Sequence, residues 1–221
     1  MKLFIGNKAY SSWSMRGWLA CKQSGLAFEE VVVSLYDEHW AARRMSPEFA
    51  PANGRVPILW DGDIAVWDSL AILDWLDSQT GGTRFWPADR AALALARSMC
   101  AEMHSSYAAL REHHSTNFRR VYPPQALRDD VAADVARIEL LWARARSEFG
   151  AGDDFLFGRF GAADIMFAPV VSRFVTYSIP VSSPSQAYID AVMAHPFVTE
   201  WMTGAQAETW VIEKFEGAVQ T

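Results

Sequence analysis

Ser11-Ser12-Trp13-Ser14 stands where an apolar run over residues 2–5, closed by Gly6, gives way to a helical pattern. That pattern passes through Met15, Trp18, Leu19 and Lys22 and stops at Gly25. A redox dithiol in such a loop would be Cys-x-x-Cys, because the thiolate is the nucleophile. Serines stand there instead, so dithiol exchange by this chain is excluded. A hydroxyl at a helix start can donate to an anion, and a thiol brought by a second molecule is one such anion. A free cysteinyl thiol titrates near roughly 8.5, so holding it ionised at neutral pH takes about 3 kcal/mol. A hydrogen bond to a charged group supplies about 1.5–3 kcal/mol, and a helix N-terminus adds about 0.3–2 kcal/mol. No general base is required. The competing reading is that Ser11 and Ser12 only cap the helix, a common duty of serine.

Two further groupings suit a ligand with charged ends. Asp68-Ser69 opens a helical stretch that is apolar at 70, 72, 73 and 76, and the free N–H groups of a helix start attract a carboxylate. A plain N-cap would use the same two residue types. Asn53-Gly54-Arg55 is a turn leading into Val56-Pro57, with a cation beside an extended segment. Arg55 reads equally well as a solvated surface arginine.

The elements that must position these residues follow from pattern. Residues 28–33 are β-branched and read as a second strand. Residues 38–45 read as a short charged helix, ended by Pro47, Pro51 and Gly54. Residues 57–60 and 64–66 flank Asp61-Gly62-Asp63, whose Asp-Gly pair is hairpin chemistry. The order over the first eighty residues is β-α-β-α-β-β-α, that of a thioredoxin-like domain. Beyond Gly81-Gly82 strand signals fade. Long helical patterns cover 88–114 and 124–149, and shorter ones cover 164–177, 185–194 and 197–203. The expected fold is therefore an α+β thioredoxin-like domain over 1–80 followed by an all-α domain over 86–221.

Composition narrows the classes of function. The chain has 221 residues, 51% of them hydrophobic, and a formal net charge of −6. An acidic balance lacks the basic surplus that a nucleic-acid binder needs. No window has the 18 or so apolar residues of a membrane span. Two cysteines, Cys21 and Cys100, are too few for a disulfide scaffold and fit a reducing cytoplasm. Adjacent His113 and His114 point apart on a helix, and no ligand set completes a metal shell around them and His104. Asn117-Phe118-Arg119-Arg120 is a basic stretch suited to an acidic substrate, a neighbouring subunit's carboxylates, or solvent.

Taken in order, these motifs resemble the glutathione S-transferase family in its serine-type branch. Ser11-Ser12-Trp13-Ser14 with Arg16 is similar to the Ser-Ser-Cys-Ser motif of the zeta class. Val56-Pro57 resembles the family's cis-proline motif, although an X-Pro bond by itself reads as trans. Asp68-Ser69 resembles its Glu/Gln-Ser pair, with a shorter acid. Gly161-Ala162-Ala163-Asp164 resembles its buried capping box, with glycine where the family has serine or threonine. The resemblance implies glutathione as co-substrate, with no metal. It implies Ser11 as the thiolate donor, and Ser12 if the register is one residue off. Arg55 would take the glycine carboxylate, the Val56 main chain beside Pro57 the cysteinyl backbone, and Asp68 and Ser69 the γ-glutamyl end. It also implies an electrophile cleft bordered by Trp13 and by Met103, Tyr107 and Arg111, which recur every four residues, or which face the core or a dimer partner.

The function so implied is conjugation of glutathione to a small electrophile, a detoxification chemistry, by a cytoplasmic homodimer. Two alternatives accompany it. One is glutathione-dependent cis–trans isomerisation of the maleylacetoacetate type. The other is a non-catalytic glutathione-binding or regulatory module on the same scaffold.

Overall fold

Lys2–Ile5 (β1) is an inner strand with alternating burial, Leu3 and Ile5 being wholly buried. In the computed structural model, which describes residues 1–217, Ser12–Ser24 (α1) crosses over to Glu29–Val32 (β2), which pairs parallel with β1. A parallel pair requires a crossover of this kind. After a single helical turn at Trp40–Arg43 (α2), Ile58–Asp61 (β3) pairs antiparallel with β1. Ile64–Trp67 (β4) closes the hairpin, with Gly62 at φ 60 as the Asp-Gly turn demands. The strand order is β2-β1-β3-β4. Ser69–Gln79 (α3) packs beside α1. This mixed sheet with its two helices is the thioredoxin-like arrangement expected.

The rest of the described chain is helical: Arg90–Ser105 (α4), Ala108–His113 (α5), Asp129–Phe149 (α6), Ala162–Thr176 (α7), Ser183–Ala194 (α8) and Pro196–Ala207 (α9). The pattern over 88–114 predicts one helix, and the structure holds two. Ser106 leaves the helical region and Tyr107 takes φ 62, while Asp134 of α6 accepts the Leu110 N–H that the new helix start frees.

All of α7 except Val175 is buried, and this helix packs against α1 and α4. One apolar core therefore runs from Leu3, Met15 and Ile72 through Met99 and Met166 to Trp201. Gly161 precedes α7 where an added Cβ would lie 2.6 Å from the Phe85 carbonyl oxygen, which explains glycine in place of a hydroxyl residue. The capping box is accordingly one-sided, with Asp164 Oδ2 accepting the Gly161 N–H at 2.9 Å.

Candidate active site

A cleft of about 960 Å³ opens between the first strands and the helical half. Ser11, Ser12, Trp13, Arg55, Val56, Pro57, Asp68, Ser69 and Arg111 all line it. Ser11 is the N-cap of α1, held by Asn7, whose carbonyl accepts both the Tyr10 and Ser11 N–H groups. Its Oγ accepts the Ser14 N–H at 3.2 Å and lies 2.8 Å from Ser14 Oγ, which in turn accepts the Gly6 N–H at 2.9 Å. Hydroxyl protons rotate to suit their partners, so either serine can be the donor of that pair. When Ser14 donates, both acceptor positions of Ser11 Oγ are filled and its own proton is free for the cleft. Ser12 also faces the cleft, one residue further into the helix.

The Val56-Pro57 bond is cis. The Pro57 ring lies against Gly17 of α1, where an added Cβ would stand 2.8 Å from Pro57 Cγ. Asp68 caps α3 by accepting the Leu70 N–H at 2.8 Å through Oδ1, and its Oδ2 meets His104 Nε2 at 2.6 Å. Beside it the buried Ser69 hydroxyl has no hydrogen-bond partner among the described residues. A helix start with a spare hydroxyl and a neighbouring carboxylate suits a group carrying both a carboxylate and an ammonium.

Arg111 of α5 and Arg173 of α7 line the cleft, and a third guanidinium, Arg16 of α1, is buried behind Trp13. Arg16 is 1% exposed and Arg173 6%. Their acceptors are main-chain carbonyls: Met166 for Arg16 at 2.8 Å, Met103 and His104 for Arg111, and His114 for Arg173 at 3.0 Å. One Arg16 terminal nitrogen and Arg111 Nε are buried with no hydrogen-bond partner among the described residues. Burial pushes the Arg16 pKa well down, and repulsion from Arg173 and Arg111 adds to it. Burial, then Arg111, brings Arg173 down to about 10. Arginine keeps its charge at neutral pH, so these shifts express the cost of burying it. The Trp13 ring lies between Arg16 and Arg111, at 5.0 and 5.1 Å from their guanidinium carbons, and meets His104 edge-on. Thr116, which also lines the cleft, has an unpartnered Oγ1.

Met103 and Tyr107 stand elsewhere. The four-residue spacing is interrupted by the break between α4 and α5, so the three residues share no face. Met103 lies in the core, and Tyr107 turns inward to donate to Glu102 at 2.9 Å.

Residues 10–79 match the glutathione S-transferase N-terminal domain, and residues 108–204 match the glutathione S-transferase C-terminal domain. The chain belongs to the glutathione S-transferase family. It is 32% identical to Glutathione S-transferase T1 of Arabidopsis thaliana over 124 residues, covering 54% of this chain but 44% of that relative. With the zeta-class glutathione S-transferase of Euphorbia esula it shares 28% identity over 182 residues, 79% of this chain and 77% of that one. Its fold matches that of a glutathione transferase homologue from Burkholderia with bound glutathione, at TM-score 0.68 and 24% identity, covering 93% and 97% of the two chains. It also matches maleylacetoacetate isomerase from Methylobacterium extorquens, at TM-score 0.64 and 22% identity, covering 93% and 98%.

Within this glutathione S-transferase fold, several cleft residues escaped the sequence reading. His104 is next to Met103, and one residue turns a helical side chain by about 100°, which the choice of Met103 as cleft residue misplaced. Arg173 had one signal, an arginine inside an otherwise apolar helix. Tyr10, Ile212 and Phe215 had none, because they meet only when the C-terminal segment folds back on the first loop.

Proposed function

We propose that this chain is a glutathione transferase in which the Ser11 hydroxyl holds the glutathione sulfur as thiolate for attack on a small electrophile. The observation that carries the proposal is Ser11 itself, an N-cap on the cleft wall that accepts the Ser14 N–H and whose hydroxyl lies 2.8 Å from Ser14 Oγ, a partner that can donate in turn and leave the Ser11 proton for the cleft. Glutathione would extend from Arg55, which takes the glycine carboxylate, past the Val56 main chain, which pairs with the cysteinyl backbone. Its γ-glutamyl carboxylate meets Ser69 and the α3 start, and its ammonium meets Asp68. The thiol proton leaves to solvent, sulfur forms the new bond to carbon, and the displaced group departs with its electron pair. On this reading residues 1–80 bind glutathione and 86–221 shape the electrophile site. The protein works as a cytoplasmic homodimer in detoxification. The two buried free thiols and the exposed Ile64 and Trp67 of β4 are consistent with that.

A second reading is favoured by the guanidiniums. With main-chain carbonyls as their hydrogen-bond acceptors among the described residues, Arg111 and Arg173 suit an acidic electrophile. Reversible thiolate addition to an unsaturated acid would then give isomerisation of the maleylacetoacetate type.

Conjugation of an aryl halide tests the first reading. Ser11→Ala is expected to lower kcat/KM by about 10- to 100-fold, the worth of one hydrogen bond to an anion, with Ser12→Ala near wild type. The reverse outcome assigns the role to Ser12. Glutathione binding without turnover of any electrophile makes the chain a binding module. For the second reading, Arg173→Met is expected to abolish turnover of an unsaturated acid while sparing its uncharged ester.

A further inference from the structure

The loop that presents Ser11 is held from the far end of the chain. The Lys8 N–H donates to Glu208 Oε2 at 2.7 Å and the Ala9 N–H to Glu208 Oε1 at 3.4 Å, so one carboxylate holds two successive amides just ahead of the serine. The Ala9 carbonyl accepts the Phe118 N–H at 2.9 Å. The Tyr10 hydroxyl bonds Glu216 at 2.5 Å and also contacts Arg119. Ile212 and Phe215 pack on Ala9 and Tyr10. The basic stretch at 117–120 joins these pieces. Arg119 donates to the Glu208 carbonyl at 2.7 Å, Arg120 pairs with Glu216 at 2.6 Å, and Asn117 donates to the Phe215 carbonyl at 3.0 Å. Arg119 and Arg120 thus pair with the segment 208–216, Arg120 from the solvent-exposed side.

We infer that Glu208 is a positioning residue for Ser11, and that segment 208–216, clamped by Asn117, Arg119 and Arg120, fixes the aim of the serine hydroxyl. The inference rests on the proposed function. Ahead of the serine the loop is tied by the Gly6 N–H on Ser14 Oγ, by Asn7 Oδ1 on the Leu35 N–H and by Lys8 Nζ on Glu30, but the amides of residues 8 and 9 have Glu208 as their acceptor. Without Glu208 the amides of residues 8 and 9 lose their acceptor, and the loop between Gly6 and Ser11 can reorient. A displacement of about 1 Å at a reacting group costs up to about 10²-fold in rate.

The test is the pH titration of thiolate absorbance in bound glutathione, with conjugation kinetics beside it. Glu208→Ala is expected to raise the titration midpoint by about one unit and lower kcat/KM about tenfold at a pH below that midpoint, leaving glutathione affinity within a factor of about two. Glu208→Gln, whose single amide oxygen still accepts the shorter bond from the Lys8 N–H, is expected to restore part of the loss. Should Glu208→Ala fail to fold, Tyr10→Phe decides, with a smaller shift in the same direction. A folded Glu208→Ala with the wild-type midpoint overturns the inference, as does a Glu208→Gln equally impaired, or an unshifted Tyr10→Phe when it is the deciding variant. A wild-type complex that titrates like free glutathione instead overturns the proposed function, and the inference with it.

Discussion

Replacing Asp164 with alanine removes a buried carboxylate that carries three hydrogen bonds. The residue is 1% exposed. Its oxygens accept from the Leu156 N–H at 3.2 Å, the Gly161 N–H at 2.9 Å and the Tyr188 hydroxyl at 3.0 Å. Burial outweighs these donors and pushes the pKa from 3.8 up to about 6. At about 1.4 kcal/mol per unit, keeping the group ionised costs the native state about 3 kcal/mol at neutral pH. Alanine relieves that cost but strands three donors, each worth about 1–3 kcal/mol when left unpaired in the interior. The balance is a net loss of about 3 kcal/mol, a large share of the roughly 5–15 kcal/mol that holds a domain folded. Urea unfolding followed by tryptophan fluorescence measures it. A folded-state pKa above the unfolded one means that the native state binds the proton more tightly. This stabilisation is present in full below pH 3.8 and is lost as pH rises through about 6. Asp164→Asn cannot titrate there. The stability of wild type relative to Asp164→Asn is therefore expected to rise by about 3 kcal/mol between pH 7 and pH 3. A loss below about 1 kcal/mol for Asp164→Ala, or a flat difference across that range, would refute the reasoning. The site is coupled to this cap because α7 supplies both Arg173 and the Met166 carbonyl that holds Arg16.

Two further outcomes are expected. Gly17→Ala gains about 0.5–1 kcal/mol of helix propensity but forces a Cβ to 2.8 Å from Pro57 Cγ. Overpacking of this kind costs about 1–3 kcal/mol, so the variant should be less stable on urea unfolding and bind glutathione more weakly by calorimetry as Val56 shifts. Cys21 and Cys100 are buried and burial pushes both thiols up, Cys21 to about 12. Neither should react with an aromatic disulfide reagent in the native protein, and both should do so in urea.

Features decided within a few residues were legible from the sequence. Asp61-Gly62 forms its hairpin because the turn geometry is set by the glycine's positive φ, and Asp68 caps α3 because its carboxylate reaches the N–H two residues on. The Ser11 N-cap is likewise a contact between residues 11 and 14. The four-residue stripe at 103, 107 and 111 is split, with Met103 and Tyr107 in the core and Arg111 on the cleft, for a non-local reason: the helix break at Ser106 is matched by Asp134, on a different helix. A periodicity count sees only the side chains along one segment.

The sequence by itself therefore determined the thioredoxin-like order, the helical second half, and the family to which the chain belongs. All three rest on propensities, turns and caps whose partners are near neighbours. Tertiary structure alone decided what surrounds those motifs. It set Arg111 and Arg173 from two helices along one cleft, put His104 on Asp68, and folded the C-terminal segment back onto the loop that carries Ser11. A carboxylate 200 positions away from the amide it holds leaves no local trace, because the contact exists only once the core has brought the two ends together.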